Sequence, residues 1–177
     1  MDNWLEISAK AIVYAAALVA VGAAVVRRLL LPRVTAQVAP DVLLASGDRA
    51  DRVMRLAAGC LILGVLLRAW AHTVSAFGMA DAWSWDNLTL VAVESRWGGG
   101  WQVQMVAAVL LFAVSVRTPR RSSPERSTKR PKAALVVVAL AVLCLAVPQT
   151  GHAAEHWLRV LLHAVHLLGG GAWLGAL

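Results

Sequence analysis

The residues best suited to chemistry in this 177-residue chain are its five histidines, four of which lie close together near its end. His152 and His156 are followed by His163 and His166, and the fifth, His72, lies far upstream. If one α-helix runs from about residue 153, a rotation of about 100° per residue places all four within an arc of about 80°. The spacing therefore predicts a histidine stripe along one helix face, descending about 15 Å from His156 to His166.

An imidazole in an apolar segment needs a hydrogen-bond partner or a polar cavity. The stripe could supply polar contacts between helices, a metal site, haem ligands or a proton relay. Neutral imidazole is a common ligand for copper and zinc. We predict that the histidines bind a metal cation, while polar contact between helices stays open as the structural alternative. The candidate metal ligands are His72, His152, His156, His163 and His166.

The segment His152-Ala-Ala-Glu155-His156 has the HxxEH spacing of inverted zinc peptidases. In those enzymes the two histidines bind zinc and the glutamate acts as a base. A third protein ligand must follow, and none of the 21 residues after His156 is acidic. We therefore expect no enzymatic activity, and interpret the segment as half of a cation site at the outer surface.

The composition places these histidines in a membrane protein. Hydrophobic residues make up 59% of the chain and charged residues 15%, whereas a soluble domain is about half apolar. A spanning helix needs about 20 residues. We predict one all-α membrane domain over residues 1–177, a transmembrane bundle of about five spans. The two arginines that bound the central part of the second span, Arg55 and Arg68, are expected to extend toward opposite interfaces. The predicted spans cover about residues 7–26, 53–74, 101–116, 133–147 and 157–177.

The positions of the basic residues predict the orientation, since cytoplasmic loops are enriched in Lys and Arg. Of the 17 basic residues, 13 fall in the first and third connections, which places residues 117–132 in a basic cytoplasmic loop and the N-terminus in the periplasm. This topology accounts for the pI of about 10.7, so we expect no nucleic-acid partner. The 13 residues are Arg27, Arg28, Arg33, Arg49, Arg52, Arg55, Arg117, Arg120, Arg121, Arg126, Lys129, Arg130 and Lys132.

Three stretches resemble the bacterial copper resistance protein D (CopD) family. The first is Gly151–Leu177, with its Gly-His pair, its His163 and His166-Leu-Leu, and its Trp173-Leu-Gly ending. The second is SRWGGGWQVQ (Ser95–Gln104), and the third is the pair of arginines after the first span. Family members continue with about as many spans again. The chain therefore resembles a fragment or truncated member that contains the first five spans.

The resemblance implies a multi-pass protein of the bacterial inner membrane that faces the periplasm and handles or transports copper in resistance or uptake. Its implied partners are membrane lipid, the copper ion and a periplasmic copper-binding protein. The main alternative is a membrane b-type cytochrome, with haem held between histidines on facing helices, such as His72 with His163 or His166. A purely structural role in an assembly is the remaining alternative.

Overall fold

The computed structural model describes residues 3–116, 129–151 and 156–177 and forms helices throughout, with no strand in these ranges. The prediction of an all-α membrane bundle is therefore confirmed. Two short π-helical turns, Val26–Leu30 and Leu90–Glu94, interrupt the α-helical segments. The helices are α1 (Asn3–Val25), α2 (Leu31–Arg33), α3 (Pro40–Phe77), α4 (Trp85–Thr89), α5 (Arg96–Val116), α6 (Lys129–Gln149) and α7 (Trp157–Ala176).

Long helices that follow one another along the chain run antiparallel, and the close contacts fix their directions. A Cβ placed on Gly64 of α3 would touch Val13 of α1, while one on Gly47 would touch Arg27 after the end of α1. The starts of α1, α5 and α7 therefore lie at the same end of the bundle as the ends of α3 and α6. We call this end the cleft end, because it contains the main cavity.

Helix α3 begins well before the predicted span. It starts with Pro40, whose fixed φ suits the first turn of a helix and which has no N–H to leave unpaired there. Arg27 lies near Asp51, with its Nε 3.2 Å from the carboxylate Oδ1, and ties the first connection to this extension. Most of residues 40–52, predicted as part of a loop, are thus the first turns of a long helix.

Among the described residues, three helical segments are long and apolar enough to cross a membrane: Trp4–Arg33, Pro40–Phe77 and Arg96–Val116. The apolar part of α6 is shorter, covering Ala133–Gln149. Helix α7 carries Arg159, His163 and His166, which reduce its apolar character. The count of five spans stays a prediction for the last two helices.

Small residues make up much of the interface between helices. Ala17, Ala20 and Ala58 are almost fully buried, and such residues let helix backbones approach closely in a membrane. The closest approach joins α1 and α7, where a Cβ on Gly175 would lie 2.5 Å from the carbonyl oxygen of Gly22. This contact holds α7, and the histidines on it, against α1.

Candidate functional site

A cleft of about 890 Å³ opens at the cleft end of the bundle, and five helices contribute to its walls. Polar and charged lining residues come from the start of α1, the end of α3 and the start of α5, whereas the end of α6 and the start of α7 add mainly uncharged groups. The lining includes Glu6, Lys10, His72, Arg96, Trp97, Gln149, Thr150, Gly151, Trp157 and Leu161.

Of the histidines that the structure describes, His72 forms part of the cleft wall. Its ring stacks on the indole of Trp97, with centroids 4.4 Å apart and planes 14° from parallel. Its Nδ1 is enclosed and has no hydrogen-bond partner among the described residues. A histidine that served only as a polar contact between helices would be expected to be hydrogen-bonded. Among the described residues, His72 therefore makes no hydrogen bond to another helix through this nitrogen.

The backbone at the end of α6 fixes the positions of Trp97, on which His72 stacks, and of Arg68. The carbonyl oxygen of Thr150 accepts hydrogen bonds from Nη2 of Arg68 at 2.8 Å and from Nε1 of Trp97 at 3.2 Å. Arg68 is 2% exposed, and its Cζ lies 6.0 Å from the centre of the Trp97 ring. Its side chain thus points into the bundle, and the expectation that Arg68 extends toward the membrane surface is wrong. The reason is that Thr150 offers a buried acceptor within reach.

Gln104 on α5 forms hydrogen bonds to the same end of α6. Its Nε2 donates to the carbonyl oxygen of Ala146 and lies 2.9 Å from Oγ1 of Thr150. Its Oε1 is buried without a partner in the described part of the chain. A neighbouring contact comes from Gly100, where a Cβ would lie 3.0 Å from the side chain of Thr150. The hydrogen bonds of Gln104 and the close approach that Gly100 allows therefore fix the end of α6 against α5.

One acidic residue, Glu6, is among the described residues that line the cleft. Its carboxylate lies 2.6 Å from the ammonium group of Lys10, one helical turn further along α1. A pair at this spacing on a helix is a short-range contact in which the two charges largely cancel. Arg96, which is exposed at the start of α5, also lines the cleft, and the buried Arg68 lies behind Trp97.

The histidines near the end of the chain are placed differently from the prediction. Helix α7 begins at Trp157, and His156 precedes it with extended backbone angles of φ −134° and ψ 117°. The premise that one helix runs from about residue 153 is therefore wrong, and His156 does not share a helical face with the later histidines. His152 and Glu155 lie outside the described residues.

His163 and His166 lie about 60° apart around α7, and Leu167, one turn after His163, is buried. Both imidazoles are exposed on the described bundle and do not line the cleft. The Nδ1 of His163 lies 2.9 Å from the carbonyl oxygen of Arg159. Since a carbonyl only accepts, Nδ1 donates, and the Nε2 of the neutral ring is then the nitrogen that could bind a metal.

The described residues contain no cluster of three or more His, Cys, Asp or Glu side chains suited to holding a metal ion. Cys144 is buried in α6 and Cys60 is exposed on α3. What the structure brings together is instead one histidine, two tryptophans and several cationic groups around an open cleft. The five predicted metal ligands are thus divided between the cleft, the outer side of α7 and the segment from His152 to His156.

Comparison with protein families identifies the chain. The model of the copper resistance protein D-like N-terminal domain matches residues 1–160. The chain belongs to this family. The match includes every helix that contributes to the cleft, but it ends four residues into α7. No curated protein and no solved structure matches the chain.

Membership in the copper resistance protein D-like family makes this a membrane protein of copper resistance or copper handling. The resemblance to the CopD family predicted from the sequence is confirmed. Two residues of the site, Arg68 and Trp97, were not among the predicted functional residues. An arginine inside an apolar run was the available signal, but its partner Thr150 is 82 positions away and only the fold brings them together.

Proposed function

We propose that this domain takes up or transports copper through the bacterial inner membrane, and that the ion enters from the periplasm at the cleft. The observation that carries the proposal is His72, a half-buried imidazole that forms part of the cleft wall. Neutral imidazole binds both common oxidation states of copper. Stacking on Trp97 holds the ring in one orientation, as a metal ligand requires.

The distribution of basic and aromatic residues supports an orientation in which the cleft end faces the periplasm. The basic residues are concentrated in the first connection and in the one that joins the end of α5 to the start of α6, and these helix ends lie at the opposite end of the bundle from the cleft. Tryptophan favours the membrane–water interface, and several exposed tryptophans lie near the cleft end. These are Trp4 at the start of α1, Trp83 and Trp85 before α5, and Trp157 at the start of α7.

The histidines near the end of the chain would extend the route. His152 and His156 belong to the segment between Gly151 and Trp157, both of which line the cleft. His163 and His166 would then offer ligands on the outer side of α7. An imidazole facing lipid is costly, so this side of α7 requires polar surroundings in the complete assembly.

The role we propose is non-enzymatic, with copper as the substrate that is bound and passed on. A periplasmic copper-binding protein is the proposed donor or acceptor at the cleft end, and membrane lipid surrounds the rest of the bundle. No observation in the described structure favours haem, so the cytochrome alternative stays an untested prediction.

The test is copper handling by cells that produce the chain with His72→Gln. We expect the difference in cellular copper, measured by mass spectrometry against cells without the protein, to be largely lost. Ser75→Ala is the matched control, because Ser75 is exposed on the same helix one turn further along and does not line the cleft. It should behave as the unaltered chain at equal membrane abundance. Normal copper handling by His72→Gln would show that the proposal is wrong.

A further inference from the structure

The cleft carries more positive than negative charge, which is unfavourable for a site that admits a bare cation. Glu6 and Lys10 form an ion pair, so their charges largely cancel. Arg96 at the rim and Arg68 behind Trp97 have no carboxylate within ion-pair distance among the described residues. Neither guanidinium group therefore forms an ion pair among the described residues.

Arg68 makes this excess charge effective inside the cleft. It is 2% exposed and donates one hydrogen bond, to the carbonyl oxygen of Thr150, while Nε and Nη1 have no partner in the described part of the chain. A buried charge is poorly screened by water, so its field reaches further than that of a surface arginine. Trp97 and Thr150, which separate Arg68 from the cleft, also line it.

The size of the cleft indicates what kind of anion fits. A volume of about 890 Å³ is far larger than a metal ion and lies in the range of sites that hold small organic molecules, roughly 300–1,000 Å³. The faces of Trp97 and Trp157 give it apolar surface, while Arg96 offers a planar guanidinium group. A guanidinium pairs best with a carboxylate, which it can bind through two parallel hydrogen bonds.

We propose that the cleft binds a small organic carboxylate, with Arg96 as the contacting group at the rim and Arg68 as the buried charge behind Trp97. This site goes beyond the proposed function and does not depend on it. Where both hold, the carboxylate is the co-ligand that neutralises the cleft and accompanies copper to His72.

The experiment measures binding of succinate to the purified full chain in detergent by titration calorimetry, without copper and at constant ionic strength. Succinamide, the uncharged diamide with the same carbon skeleton, is the matched ligand. We expect succinate to bind and succinamide not to bind. Arg96→Gln should weaken succinate binding about tenfold, as loss of a charge-assisted hydrogen bond does. Arg52→Gln is the matched control and should bind as the unaltered chain, because Arg52 is exposed on the part of α3 far from the cleft.

Three results would overturn the proposal. Equal binding of succinate and succinamide would mean that the cleft is selective for shape and not for charge. Unchanged binding in Arg96→Gln, or no binding at all, would remove the assigned contact. Because copper is absent, none of these results bears on copper handling by His72.

Discussion

The contact between α1 and α7 gives a stability prediction that can be worked from the structure. In Gly171→Ala the new Cβ would lie 2.5 Å from the Cβ of Val21 and 2.7 Å from its Cγ1. Carbon atoms pack at about 3.5–4.0 Å, so the two helices must separate by about 1 Å. Overpacking of this kind typically costs about 1–3 kcal/mol. The favourable helix propensity of alanine offsets up to about 1 kcal/mol of that cost.

Gly169→Ala is the control that isolates the clash. It makes the same chemical change in the same helix, but nothing lies within 4 Å of the new Cβ. The propensity gain is common to both variants, so Gly171→Ala should be less stable than Gly169→Ala by about 1–3 kcal/mol. Unfolding of the purified protein in a mixed-detergent titration, followed by circular dichroism, measures this difference. Equal stability of the two variants would refute the close packing of α1 on α7.

Further predictions concern the site and the topology. Arg68→Met should raise stability by about 1–3 kcal/mol in the same unfolding assay, because a buried unpaired charge is replaced by an apolar side chain of similar length, and a loss of stability would contradict this. His163→Ala and His166→Ala should each change the free energy of unfolding by less than about 0.5 kcal/mol, because both side chains are exposed. Both variants should nevertheless reduce copper handling. Normal copper content in cells with either variant would remove these histidines from the proposed route. A cysteine introduced at Asp86 should react with an impermeant thiol reagent added to intact cells, and one at Ser123 should not. The reverse pattern would invert the proposed orientation.

Much of the fold could be predicted from the sequence, because the apolar runs indicate the long helices and the basic segments indicate connections between them. Each predicted span lies largely within a helix of the described structure. The start of α3 was missed because five of residues 40–52 are charged, and a search for apolar runs does not detect a helix that extends beyond the apolar segment. The predicted start of the last helix, at about residue 153, is too early. It required a continuous helix through His156, and the backbone of His156 is extended.

The site was less predictable, for a physical reason. Residue type drew attention to the histidines, and His72 does line the cleft. The environment of His72, however, depends on Trp97 and Thr150, which come from other helices. Neither residue has a local pattern that signals its role, since a tryptophan near a span boundary is equally typical of an interface anchor. The exposure of His163 and His166 likewise depends on which side of α7 contacts α1, and Gly171 and Gly175 decide that.

The central claim is that copper binds at the cleft through His72, and a competition titration of Cu(I) against a chromogenic chelator tests it most directly. The unaltered chain and Ser75→Ala should bind copper with equal affinity. We expect His72→Gln to bind at least about tenfold more weakly, a loss of about 1.4 kcal/mol. An affinity of His72→Gln equal to that of Ser75→Ala would contradict the account, because copper would then be held without His72, the histidine that lines the cleft among the described residues.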